Sequence, residues 1–306
     1  MLVFSASDKG GTGRSVTSVN IAYQLSMDGM KVAYLDFDFG SPTAGAIFEI
    51  SRVDRGTPED NGLHSYLLGD SAPAARLSVR SETDRTELAH SRHQSGRLVL
   101  FPGDRGGGEF ANIDETTVRR CTELLVTCEQ EFDVNLVDLS AGRSIALMLA
   151  LRATGTWQLS AAVVRWLVFH RWTRQHIVAA HGLVHGPHGL LETGAACRHE
   201  PEQLLESIRY VRTAVPDLND EAAGLRPAQA AWLQEQNATL NRAATRYRLG
   251  ATVVLGATPL EPMLQWREQV ILDADVSARI ANEKTVIAFR ELADGLTNQA
   301  VWERLG

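Results

Sequence analysis

Cysteine, lysine and long apolar runs are what this 306-residue sequence has least of. Three cysteines, Cys121, Cys128 and Cys197, cannot build a disulfide framework, and none stands in a CxxC pair. No apolar stretch approaches the ~18–20 residues needed to cross a bilayer, and the opening MLVFSAS is too short for a signal peptide. The expected compartment is therefore cytoplasmic. A net charge of −7 excludes a surface that is basic throughout, although local basic patches remain compatible with it. Of the 30 basic residues only Lys9, Lys31 and Lys284 are lysines; the rest are arginines. A lysine at a given position is thus worth noticing.

What is present reads as alternating strands and helices. LVFSAS (residues 2–7) is a short apolar run that ends in the Gly-rich DKGGTGRS. SVTSVNIAYQLSMDG follows at helical spacing, and KVAYLDFDF (31–39) is a second strand. Further strands are expected at 97–103, 133–142 and in SAAVVRWLVF, SIRYVRTAV and ATVVLGATP, with a helix over 114–132. The alternation, continuing to about residue 295, predicts an α/β fold. The expected form is a doubly wound, mostly parallel sheet of seven or eight strands with helices on both faces, a single domain over 1–306. Polar stretches near 51–61 and 80–96 are expected to be mobile inserts.

Chemistry concentrates at three strand ends. KGGTGRS (9–15) follows a strand and opens a helix, so Gly10, Gly11 and Gly13 permit a tight turn whose N–H groups point at a polyphosphate. Asp36 and Asp38 stand at the end of the second strand, and Asp138 ends NLVDLSAG. In a parallel sheet such ends converge on a ligand crevice. Ionised carboxylates there require a cation or hydrogen bonds, and Mg²⁺ beside a phosphate, with the Ser15 hydroxyl as a further ligand, meets that need. The plainer alternative is that the three aspartates only cap strands.

KGGTGRS, LDFDFG and VDLSAG resemble the deviant Walker A, Walker A′ and Walker B motifs of the ParA/MinD family of ATPases. GLHSYLLG, RLVLFPG and VVLGATPLEPMLQWREQVILDAD also occupy places where that family has comparable segments. The resemblance implies a P-loop NTPase fold of the SIMIBI type, with ATP and Mg²⁺ as cofactors. It implies that Lys9 reaches the partner's phosphates in an ATP-sandwiched homodimer. Gly10, Gly11, Thr12 and Gly13 would cradle the phosphates, with Val16 beside them, while Ser15, Asp36 and Asp138 would hold the metal. Asp38 would position the attacking water. Arg212, Thr213 and the residues after Pro259 would lie near the adenine.

One residue departs from that pattern. Where the family has lysine immediately before the Ser/Thr, this chain has Arg14. A planar fork in place of a point charge is expected to neutralise phosphate while shifting the γ-phosphate. Such a shift slows or abolishes hydrolysis. Val16, where the family usually has threonine, removes a further hydroxyl.

Two classes of function follow. The first is a slow Mg²⁺-dependent ATPase whose ATP-bound homodimer positions or regulates a partner; the second is a hydrolysis-deficient nucleotide-binding scaffold that docks proteins or DNA. An iron–sulfur electron carrier is disfavoured, since no cysteine adjoins DLSAG. Residues 165–176, RWLVFHRWTRQH, interleave arginines with tryptophans and would suit DNA contact; the more ordinary reading is a strand entering a helix, with tryptophans packed and arginines in solvent. His181, His185 and His188 have ligand-like spacing, but Gly182, Gly186 and Pro187 are expected to break their helix, which favours a polar loop. The amphipathic segment 276–296 is expected to be one core-docked helix, and the tail lacks the cationic face of a membrane anchor.

Overall fold

The computed structural model describes residues 1–90, 96–108, 110–217 and 226–303. Among these residues eight strands form one sheet: β1 (Leu2–Ala6), β2 (Lys31–Phe37), β3 (Leu77–Ser78), β4 (Arg97–Phe101), β5 (Val134–Leu139), β6 (Val164–Arg171), β7 (Ile208–Val215) and β8 (Val254–Pro259). Their order is β3-β4-β2-β5-β1-β6-β7-β8, parallel throughout except for the antiparallel β3 edge. The seven longer strands are those expected. β3, two residues long, carries too little sequence to announce itself.

Each central strand is apolar on both faces because helices cover both. In β1, Leu2, Phe4 and Ala6 join one core while Val3 joins the other. The first core takes the helices Glu115–Glu131, Ile145–Thr154 and Arg174–His185. The second takes the helices Arg14–Met27 and Glu283–Thr297. The first helix is buried almost all round, so its polar residues need partners. Asn20 finds them: its amide donates to Val16 O and Gln269 O and accepts from Ile271 N at 2.8 Å, pinning the helix to the chain beyond β8. Ser18 meets Ser5 of β1 at 2.8 Å.

The two polar segments expected to be mobile are tied to the body where they are described. Asp104 accepts from Gly62 N, Ser65 N and Ser65 Oγ, and Thr57 N donates to Gly103 O, which folds the first segment onto the end of β4. In the second, two short helical turns (Val79–Glu82 and Thr86–Ala89) bury Val79 and Leu88. Between them Arg85 makes a forked pair with Asp275 at 2.7 and 2.8 Å and also donates to Val270 O and Glu49. Residues 91–95 of that segment lie outside the described residues.

Two expectations are corrected. The C-terminal helix is broken: Asp273–Ser277 is separate from Glu283–Thr297, and Arg279 between them has φ 58°. Val286, Phe289 and Leu292 are buried as expected, whereas Ile280 and Ile287, beyond or beside the packed stripe, are exposed. Gly182 does not break its helix, which runs to His185. Its carbonyl accepts from Arg143 Nη2 at 2.7 Å. Residues 165–176 follow the more ordinary reading, a strand entering a helix. β6 is interior, so Trp166 is fully buried and stacked on Phe4, and Trp172 is nearly so. Arg165 is buried too, donating to Leu296 O and Gln299 and lying over the Trp302 ring. β6 is thus covered on both faces, while Arg174, the first residue of the next helix, is exposed.

His170 on β6 gives a pH prediction. Burial, with Arg212 and His176 adding to it, pushes its imidazole down to about 4 from 6.5. The unfolded chain therefore takes up a proton between pH 6.5 and 4 that the folded chain refuses. Stability is expected to fall by about 3 kcal/mol as pH drops through that window and to be insensitive to this group above it. Urea midpoints for wild type and His170→Gln, measured from pH 4 to 7, check this. Identical slopes would exclude it.

Candidate functional site

Strand order brings the three motifs together. β1 lies beside β5 and β5 beside β2, so Ser5, Asp138 and Asp36 stand at one level across neighbouring strands. The loop after β1 leaves from that edge and enters the first helix at Arg14. Gly11 (φ 68°) and Gly13 (φ 74°) are in the left-handed region, where a side chain would strain the turn. Above Gly10 and Gly11 a Cβ would meet nothing within 4 Å, so the loop faces open space. No side chain caps the helix and its first turn has no acid, which leaves its N–H groups available to an anion.

Beside that loop lies a cavity of about 290 Å³. Gly11, Gly13, Thr213, Pro259, Glu261 and Phe289 are among its walls. Thr213 Oγ1 donates to Thr12 O at 2.5 Å, tying the loop to the end of β7. Thr12 and Val16 also line the cavity. Arg212 does not. Side chains alternate along a strand, so it faces the other way, donating to Leu249 O and resting 4.2 Å from the Trp172 ring centroid. Thr258 and Phe289 belong to the walls and were not anticipated, whereas Glu261 is one of the residues after Pro259 expected near the adenine. Glu261 is buried and accepts from Asn282 N, Asn282 Nδ2 and Thr285 Oγ1, so its role is to hold the chain around the cavity.

Arg14 is placed differently from the expectation. Its guanidinium turns away from the cavity and under the loop. Nε donates to Asp138 Oδ1 at 2.5 Å, Nη1 to Ser7 Oγ at 3.2 Å, and Nη2 to Asp38 Oδ2 at 3.2 Å and Ser15 Oγ at 3.4 Å. Only 6% of the side chain is exposed. Burial alone would weaken its hold on the proton, but Asp138 and Asp38 more than offset that and raise its pKa. The second oxygen of Asp138 accepts from Tyr34 Oη at 3.0 Å. Burial and Asp138 keep that phenol protonated. Tyr34 was missed in the sequence, although its place two residues before Asp36 and four before Asp38 puts all three on one side of β2 and its extension.

Ser15, Asp36 and Asp138 are not gathered as a ligand set. Asp36 accepts from Ala44 N at 3.0 Å and Asp38 N at 3.3 Å, shaping the turn after β2. Burial first, and then Asp138, push its carboxyl up to about 8, so it stands largely neutral near pH 7. With both oxygens of Asp138 engaged and Asp38 and Ser15 facing the same guanidinium, the donor set does not fit a Mg²⁺ ion while Arg14 keeps this position. Among the described residues no group of three or more His, Cys, Asp or Glu is arranged to hold a metal, and this covers the histidines at 181, 185 and 188. His181 instead hydrogen-bonds Tyr247 O and packs against His185.

Lys9 is exposed beside Arg174, Gln175 and Val178 on the rim. Lys9 is not among the residues lining the cavity beside the loop.

Comparison with known proteins agrees with this geometry. Residues 1–65 match the family model described as ParA, NUBPL iron-transfer P-loop NTPase. Protein IncC of Escherichia coli is 27% identical over 151 residues, 49% of this chain. An iron–sulfur cluster carrier protein of Pseudomonas fragi is 41% identical over 54 residues, 18% of this chain. The chain spans only 37% and 19% of the lengths of these relatives. The MinD cell division protein of Aquifex aeolicus superposes with a TM-score of 0.60 at 17% identity, covering 100% of this chain and 98% of that one. MinD of Pyrococcus horikoshii OT3, solved with Mg-ADP, gives 0.55 at 15% identity, with 99% of each chain covered. At these identities the structural likeness is one of fold, and the family match is confined to residues 1–65, which include the Gly-rich loop. Residues 1–65 thus resemble a ParA-type P-loop NTPase, and the chain as a whole shares the fold of the MinD and plasmid-partition structures.

Proposed function

We propose that this protein is a nucleotide-operated switch. ATP places its phosphates on residues 10–15 and its base in the cavity between the loop, β7 and β8. The triphosphate form is a homodimer in which Lys9 of each copy closes on the other's phosphates, and the dimer positions or regulates a partner. The observation that carries the reading is the open, glycine-lined loop continuous with a cavity of about 290 Å³ at the mouth of an uncapped helix. Mg-ADP in a MinD of the same fold supports the choice of ligand.

Lys9 supports the dimer. Arginine far outnumbers lysine in this chain, so composition does not account for a lysine at the start of the loop. A compact ammonium on a flexible stem reaches a phosphate of a neighbouring molecule without imposing a fork's geometry. Light scattering with ATP, ADP or no nucleotide is expected to give a dimer only with ATP and only in wild type. Lys9→Ala is expected to stay monomeric in all three. A wild-type mass that does not respond to ATP would refute the switch.

A second reading shares the fold and omits the chemistry: a scaffold that binds nucleotide and does not hydrolyse it. What favours it is the engagement of Arg14 with Asp138 and Asp38, which removes both carboxylates from work on phosphate or water. The two readings differ in turnover, not in binding.

A further inference from the structure

We propose that the Arg14 guanidinium is a built-in cation occupying the place where this ligand set would otherwise gather a divalent metal, so that nucleotide binds here without Mg²⁺. This rests on the nucleotide reading above. The guanidinium touches Ser15 Oγ, Asp38 and Asp138, which are the hydroxyl and carboxylates that the motifs assign to metal and water. Tyr34 takes the remaining oxygen of Asp138, so the carboxylate is satisfied within the chain. Arg14 is not among the cavity walls, so its charge is committed to the strand ends and not to the phosphate face of the loop.

Physical chemistry favours this arrangement over an arginine that swings out when nucleotide arrives. Leaving its pocket would strip two carboxylates of their cation, one of them almost fully buried, and an uncompensated buried charge is costly. Guanidinium is also suited to the task. It is planar, weakly hydrated and always charged, and it serves several oxygens at once, whereas an ammonium satisfies fewer in fixed directions. One positive charge lies against two negative ones, so the loop N–H groups and Lys9 are left to balance the phosphates.

The test separates the cation from the nucleotide. Thermal melts of the full chain with Mn²⁺ alone probe the site with no nucleotide present. Wild type is expected to show no Mn²⁺-dependent rise in Tm. Arg14→Gln, which empties the place between Asp38 and Asp138, is expected to gain one. Calorimetry of ATP with excess Mg²⁺ or with EDTA then probes the ligand: wild-type Kd is expected to agree between the two within about threefold, and Arg14→Lys to bind at least about tenfold more tightly with Mg²⁺. If Arg14→Gln does not fold, wild type against Arg14→Lys decides. Mn²⁺ stabilising the wild type, or wild-type ATP binding that weakens about tenfold in EDTA, would overturn the proposal. No ATP heat in either buffer, with the manganese pattern as expected, would refute the nucleotide reading and leave the built-in cation standing.

Discussion

Arg14→Ala is expected to lower folding stability by about 3–5 kcal/mol, the range for removing one partner of a buried ion pair. The size comes from what is left behind. Asp138 is almost wholly buried and would keep only Tyr34 Oη, while Ser7 Oγ and Ser15 Oγ would each lose a donor. Desolvated carboxylate without a cation protonates or draws in water, and either route costs the fold. Asp138→Asn is expected to cost less, because Asp38 still faces the guanidinium and the amide oxygen can accept from Nε. Replacing both members by apolar residues of similar size, Arg14→Met with Asp138→Leu, is expected to recover part of the loss, since well-packed apolar groups often match a buried pair. Urea denaturation of the four proteins without nucleotide measures this. A loss below about 1 kcal/mol for Arg14→Ala would place the pair in the class of solvated surface bridges.

The route from sequence to this site was legible as far as the backbone determines it. An apolar run, three glycines at close spacing and a helical pattern announced β1, its loop and the first helix. Strand-end aspartates announced the crevice, and pairing of β2 with β5 sets Asp36 beside Asp138 as a parallel sheet requires. Arg14 shows where legibility ended. Its residue type signalled a departure, but where the guanidinium goes depends on the spacing of β1, β5 and β2, which are distant in sequence. Tyr34, by contrast, was within reach: an alternate-residue count from Asp38 and Asp36 leads to it directly. Arg212 failed for the same elementary reason in reverse, since it and Thr213 must point to opposite faces of β7. Within 165–176 the tryptophans were expected to pack, but the burial of Arg165 was not legible, because composition does not reveal that β6 has neighbours on both edges. The break at Arg279 was hidden by amphipathic spacing that continues across it.

Arg14→Lys is expected to raise ATP turnover by about 10²-fold in the presence of Mg²⁺, if the proposed nucleotide site is the working one. Lysine carries a single ammonium and cannot serve Asp138, Asp38, Ser7 and Ser15 together, as the guanidinium does. Its stem starts from the first residue of the helix, beside the loop, so a point charge there is free to face phosphate. Asp38 then regains an unpaired oxygen to orient water, and Ser15 and Asp138 are released from the fork. The gain should fall on kcat more than on KM, because the loop and cavity that bind ground-state nucleotide are unchanged. Steady-state phosphate release across a range of ATP concentrations separates the two. Brisk wild-type turnover, left unimproved by the substitution, would show that Arg14 does its work on the phosphates, and that the carboxylates it holds in the free protein are given up when ATP binds.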